Sequence, residues 1–363
     1  MKITILNPHF HKSHFRNNKT TRYDIHGYYI EFIRKYKPSI YLSKKSYYSK
    51  LCELFDDTGL NIDEFDINYP TMFQRSIFSN TDVLLDMNGG GIVSTHPDYI
   101  QLYKKFNGLK IFHIMDPQYF AKELNAFLLK SGIDYLLGYN TYDKHSNFVR
   151  QIYPSFINKF IGIPFGYAPV WEKQIPFKRR KNMALLSGTM ETFSRVKSSK
   201  YYKQVIDYYN FFHSSFNSMH EIRYLIDKNI EMYKKEIDSK INHWPEQNNY
   251  IEDIVGEFNK FRFFINDESL LNFCPIRTYE GIAVGCVLIA HEATCYKEWG
   301  FIDGKNCIMF NNINEIPDKI HYYIDNEELL IRINKNGYNL VTNNYNHKSI
   351  ADKLYKAICE LFY

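Results

Sequence analysis

The sequence predicts an α/β protein of two doubly wound, Rossmann-like domains facing an interdomain cleft, and three observations carry that prediction. The chain has 363 residues, more than one compact core of ordinary size organises, which favours two domains of roughly 150–200 residues. In each half, short β-branched or apolar runs alternate with longer amphipathic stretches, the pattern of a parallel sheet flanked by helices. Between the halves, from Pro164-Phe165-Gly166 to Pro176, the pattern breaks into turn residues, and Lys178-Arg179-Arg180-Lys181 follows as a basic linker. The domains are therefore placed at 1–170 and 171–347, with a terminal helix over 348–363 packing back on the first.

Residues 3–6, 39–42, 83–87, 110–115, 135–138 and 160–164 read as the strands of the first half. Residues 27–35, 44–55, 98–106 and 121–130 carry apolar side chains at three-to-four spacing and read as its helices. In the second half the strands fall at 183–186, 262–265, 287–290 and 307–310, and the helices at 201–212, 250–260, 278–284 and 316–323. The stretch 214–249 is polar and helix-prone with no clear strand, and reads as an embellishment. Ile350, Leu354, Ile358, Leu361 and Phe362 form the stripe of a docking helix.

Composition narrows the function classes. The chain is 45% hydrophobic and 23% charged, a globular balance, and no apolar run approaches the roughly 20 residues needed to span a bilayer. A net charge of +5 leaves anionic ligands open but falls short of the concentrated positive field of a dedicated nucleic-acid binder. Met1 leads straight into Lys2-Ile3-Thr4-Ile5-Leu6, with no room for a secretion signal, and the six cysteines show no CxxC spacing. Buried thiols in a reducing, cytoplasmic setting are expected, and structural zinc is not.

Arg277-Thr278-Tyr279-Glu280-Gly281-Ile282-Ala283-Val284-Gly285 describes a helix that begins near Arg277, presents Glu280 in its first turn and ends at Gly285 before a buried strand. In doubly wound domains ligands bind at the carboxyl ends of strands and at helix N-termini. There, Glu280 suits ribose hydroxyls and Arg277 suits phosphates; the other reading is a carboxylate stabilising the helix dipole beside a solvated arginine. Ser187-Gly188-Thr189 reads as a small-residue turn after a strand, able to bring backbone amides to a phosphate, with Arg195 six residues beyond.

In the first half, Asp86-Met87-Asn88-Gly89-Gly90-Gly91 follows a strand; Asn88, Gly89 and Gly90 permit close approach of a substrate, and the string lacks the GxGxxG spacing of a dinucleotide site. Asp116 ends the strand through His113 and Met115, where it can act as general base on an acceptor hydroxyl or cap the following helix. His113 lines the cleft or packs in the core. The loop over 7–23 holds His9, His11, Lys12, His14, Arg16, Lys19 and Arg22 without an acidic residue, so it reads as a cleft edge for anions and not as a metal site.

The block from Phe261 to about Tyr345 resembles the C-terminal half of a GT-B glycosyltransferase, particularly the group that includes the CgeB-like proteins. Arg-x-x-Glu, then Ala-x-Gly-x-x-Leu-Ile, then Gly304-Lys305-Asn306-Cys307-Ile308-Met309-Phe310 and a helix through Asn326-Glu327-Glu328 stand in its order and spacing. The resemblance implies that Glu280, with Thr278 and Arg277 beside it, holds the ribose of a nucleotide-sugar, and that Ser187, Gly188, Thr189 and Arg195 take its pyrophosphate. Many retaining members place another glutamate eight residues before this one; here Asn272 stands there, which favours inversion. Met-Lys-Ile-Thr-Ile-Leu-Asn, the glycine-rich turn and Lys-Ile-Phe-His-Ile-Met-Asp are similar to the first domain of the T-even bacteriophage DNA β-glucosyltransferases, which implies that Asp116 is the base. Residues 258–269 are similar to fucosyltransferases, except that Gly281 stands where those carry lysine.

The expected function is thus a glycosyltransferase acting on a glycan or lipid-linked acceptor. It would use a UDP-sugar as co-substrate, with no cofactor and no metal. A DNA-modifying glucosyltransferase, a fucosyltransferase-like enzyme and a catalytically silent nucleotide-sugar scaffold are the alternatives, with nucleic acid the less favoured acceptor.

Overall fold

The computed structural model describes residues 1–6, 13–14, 21–22, 27–42, 48–68, 80–87, 97–244, 251 and 253–363. They form two compact units, 1–163 with 350–363, and 164–349.

The first unit holds a seven-stranded parallel sheet. Its strands are β1 (Ile3–Leu6), β2 (Ser39–Tyr41), β3 (Ile67–Asn68), β4 (Val83–Asp86), β5 (Leu109–His113), β6 (Tyr135–Gly138) and β7 (Phe160–Gly162), in the order β3-β2-β1-β4-β5-β6-β7. All four residues of β1 and of β4 are buried, which is why these strands read as mostly apolar runs rather than alternating ones. Helices Gly27–Tyr36, Tyr48–Thr58, Pro97–Lys105 and Ala121–Ser131 join them. Strand β5 stops at His113, two residues short of the expectation, because Asp116–Pro117 turns the chain: Tyr119 N–H donates to Asp116 C=O at 3.1 Å. Residues 350–363 complete this unit, where Lys35 Nζ lies 2.6 Å from Asp352 Oδ1 and Tyr36 stacks on Tyr355 at 3.9 Å.

The second unit holds a five-stranded parallel sheet of β8 (Lys181–Met190), β9 (Ile237–His243), β10 (Phe261–Asn266), β11 (Val287–His291) and β12 (Ile308–Phe310), ordered β9-β8-β10-β11-β12. Leu186, Ile265, Ile289 and Phe310 carry its core across the sheet onto Ile226, Ile320 and Ile333, each burial worth about 1.5–3 kcal/mol.

Three expectations are corrected here. The stretch 214–249 is no embellishment: it supplies helix Glu221–Lys228 and edge strand β9, which runs parallel to β8 from Ala184↔Ile237 to Met190↔His243. Only Ile237 and Ile241 of β9 are buried, so an edge strand with one wet face hid its alternation. The expected helix over 201–212 is a short 3-10 turn, Tyr202–Gln204, followed by helix Ile206–Phe212. The basic run is not simply a linker, since Arg180 is 5% exposed and inserted among backbone carbonyls.

Candidate functional site at the carboxyl edge of the second sheet

Strand order reverses between β8 and β10, and open α/β sheets bind ligands at such a switch point, outside the carboxyl ends of the strands. Ser187, Gly188 and Thr189 stand on one side of it. They are not a turn, as expected, but the last residues of β8: pairing with β10 ends at Leu186↔Ile265, while pairing with β9 continues to Met190. The short helix Phe193–Ser198 follows and carries Arg195, half-buried.

On the other side Asp267, 2% exposed, follows β10 and pairs with Arg223, whose Nη2 lies 2.9 Å from Asp267 Oδ1. The Arg223 backbone N–H donates to Asp267 Oδ2, its guanidinium donates to Thr189 C=O, and His220 Nδ1 lies 3.4 Å from Asp267 Oδ1. Arg223 thus ties the ends of β8 and β10 together. Gly188 leaves it room: its φ is +138°, and a Cβ there would come within 2.9–3.1 Å of the guanidinium. Burial alone would raise the Asp267 carboxyl, but Arg223 and then His220 hold it well below the usual carboxylate range. Burial and the charge of Arg223 lower His220, so its imidazole is neutral near pH 7.

A depressed carboxyl contributes stability that is complete above its unfolded value of about 4 and is lost as pH falls through its folded value. Asp267→Asn, which leaves Arg223 buried and uncompensated, should cost about 3 kcal/mol at neutral pH, read as a lower urea midpoint. The gap between variant and wild type should close in strong acid; an equal gap at every pH would mean that the ion pair is not its source.

Helix Ile276–Ala283 packs before β11 and, as expected, ends through Val284 at Gly285, whose φ is +88°. Glu280 is the fifth residue of the helix, just past the first turn in which it was expected, because the helix starts at Ile276, and it is 1% exposed. Arg277 is only partly solvated: its Nη1 lies 2.5 Å from Glu280 Oε2 and its guanidinium carbon sits 5.6 Å from the ring centre of the buried Trp171. Thr278 is fully buried, and its hydroxyl accepts the Asn266 amide at 2.9 Å, fixing the helix to the end of β10. Farther along the edge, Glu268 Oε1 accepts from His291 Nδ1 at 2.9 Å, linking the ends of β10 and β11. The sequence reading missed His220, Arg223, Asp267, Glu268 and His291 as site residues. The signal for three of them was a charged residue just after, or at the end of, a buried strand run.

In the first unit, Asp116 is exposed and accepts the Gln118 amide at 3.2 Å. It does not cap the next helix, whose N-cap is Phe120 with no side-chain bond. His113, expected to line a cleft, is fully buried and lies edge-on to Tyr29 and Tyr139 at 5.5 and 5.4 Å; it is a core residue because β5 is buried on both faces there. Asn88, Gly89 and Gly90, and most of 7–23, lie outside the described residues. Within that loop Ser13–His14 and Thr21–Arg22 pair as a short antiparallel ribbon. Among the described residues no group of three or more His, Cys, Asp or Glu side chains has the arrangement of a metal site, and no helix is long and apolar enough to cross a membrane.

No curated protein sequence matches the chain. The model of a family described as glycosyl transferase-like matches residues 219–356, a span that holds helix Glu221–Lys228 and strands β9 to β12. HepE of Anabaena in complex with UDP-glucose is similar in structure, at 10% identity over 99% of this chain and 100% of that one, with a TM-score of 0.57. The same protein with UDP and glucose aligns at 10% identity over 99% of both chains, TM-score 0.53. A glycosyltransferase from Rickettsia africae aligns at 16% identity over 99% of this chain and 98% of that one, TM-score 0.52. The fold is GT-B, and the matched span of the second unit is glycosyl transferase-like.

Proposed function

We propose that the chain moves a sugar from a UDP-sugar to a hydroxyl of a glycan or lipid-linked acceptor, with inversion. The observation that carries the donor side is the pair of half-buried Arg277 and buried Glu280 on the helix feeding β11, inside the segment matched by the glycosyl transferase-like model. Its carboxylate is the ribose acceptor, and Arg277, stacked on Trp171, holds that carboxylate in orientation. Gly188 and Thr189, at the switch point, and Arg195 serve the diphosphate; the Arg195 guanidinium, together with backbone N–H groups, stabilises the leaving charge without an obligatory metal. The complexes of HepE with UDP-glucose and with UDP support uridine as the nucleoside.

The acceptor hydroxyl gives its proton to Asp116 as its oxygen attacks the anomeric carbon. The bond from that carbon to the β-phosphate oxygen breaks, and UDP departs with the electron pair. The free cysteines fit a reducing, cytoplasmic setting.

The test is a UDP titration followed by thermal unfolding, with and without EDTA. Ligand at 100 times its dissociation constant should add about 2.7 kcal/mol of stability, with EDTA making no difference. Glu280→Ala should weaken UDP binding at least tenfold or so, by loss of a charge-assisted hydrogen bond. Absence of any stabilisation by UDP would overturn the donor assignment, and unchanged affinity in Glu280→Ala would remove Glu280 from it.

A further inference from the structure

We infer that Glu268 and His291 form a titrating contact for the diphosphate of the nucleotide, so that nucleotide affinity is set by the protonation of one imidazole. The inference rests on the donor reading above and adds to it a residue pair and a pH response.

The geometry has three parts. First, the pair stands on the ligand-binding edge, since Asn266↔Ala290 is the last register pair of β10 and β11, and Glu268 and His291 follow it on either strand. Second, the Glu268 carboxylate occupies His291 Nδ1 at 2.9 Å. That leaves Nε2 as the ring's other nitrogen, on a side chain 34% exposed, which is how a carboxylate orients a histidine for work on a third group. Third, Glu268 Oε2 is buried and has no hydrogen-bond partner among the described residues. Buried carboxylate oxygens are seldom left unsatisfied, and one at a ligand edge is accounted for by a hydroxyl or ordered water that arrives with the ligand.

Every charged group facing the pair bears on its titration. Glu268 is the partner, and Glu292 adds negative charge beside the ring while itself paired with Lys297 at 2.7 Å. Asp267 adds to the field on Glu268 but is neutralised by Arg223 and contacted by His220. The thiols of Cys274 and Cys295 are pushed up by burial and stay neutral. The balance leaves His291 above its ordinary value, first through the hydrogen bond to Glu268. The imidazolium therefore persists to higher pH than that of an ordinary histidine and is lost as pH rises through that raised value. An imidazolium at the diphosphate binds; a neutral ring contributes less.

The experiment measures UDP dissociation constants from about pH 6 to about pH 9 for the full-length wild type, His291→Gln and Glu268→Gln, with melting curves confirming that each folds. Wild-type affinity should fall about tenfold more steeply across this range than that of His291→Gln, one charge-assisted hydrogen bond being worth at least that factor. Protonation of UDP itself is common to both proteins and cancels. Glu268→Gln should move the midpoint of the fall toward lower pH, because it removes the carboxylate that raises His291. Parallel profiles for wild type and His291→Gln would overturn the inference while leaving the donor site in place. Failure of the wild type to bind UDP at any pH would instead overturn the donor reading and this inference with it.

Discussion

Asp116→Asn should lower turnover by about two to four orders of magnitude, the usual contribution of a positioned general base, while leaving UDP affinity and the melting temperature unchanged. Asparagine keeps the shape and still accepts the Gln118 amide that Asp116 accepts at 3.2 Å, but it takes no proton. The neighbouring phenols do not replace it: Tyr139 and Tyr142 are raised far above their ordinary values, first by burial, with the negative charge of Asp116 among the further causes, so they stay neutral across the working range. The exposure of Asp116 is why no stability change is expected. Activity within a few-fold of wild type would remove Asp116 as the base; a matched loss of UDP affinity would make it part of the binding site instead.

How much of this was legible in the sequence depends on whether burial or a long-range partner defines a residue. Strands β1, β4, β6 and β11, buried on both faces, announce themselves as apolar runs, and the helix over Ile276–Ala283 is marked at its end by Gly285. Strand β9 was hidden because Lys240 and Asn242 face away from the core and the core-side residues of the strand are not all apolar, and its absence took the neighbouring helix with it. His220 and Arg223 were therefore invisible: their meaning comes from Asp267, 44 residues beyond Arg223. Arg277 and Glu280 were legible as charges on one helix face, since three-residue spacing guarantees that. Their pairing with each other over Trp171 was not, because Trp171 reaches that helix from the other side of β8 and β10 in the chain.

Arg180→Ala should cost about 3 kcal/mol, read as a lowered urea midpoint, whereas Arg179→Ala, one residue away and exposed, should stay within about 0.5 kcal/mol of wild type. Arg180 Nη2 donates to Ile175 C=O at 3.0 Å, to Asn259 Oδ1 at 2.9 Å and to Val284 C=O at 2.8 Å, and Nη1 lies 3.4 Å from Cys286 Sγ. Removing the guanidinium strands these acceptors in the interior, at about 1–3 kcal/mol for each one that finds no water, offset in part by no longer holding a buried cation. Lysine should recover little, because a compact ammonium on a flexible stem does not span acceptors that a planar fork reaches together. The functional consequence follows from Val284, the C-cap of the helix that carries Arg277 and Glu280. Arg180 ties that C-cap to the segment bearing Trp171 through Ile175, so the same variant should weaken UDP binding although it touches no ligand. Loss of stability with UDP affinity intact would show that the helix holds its place without Arg180.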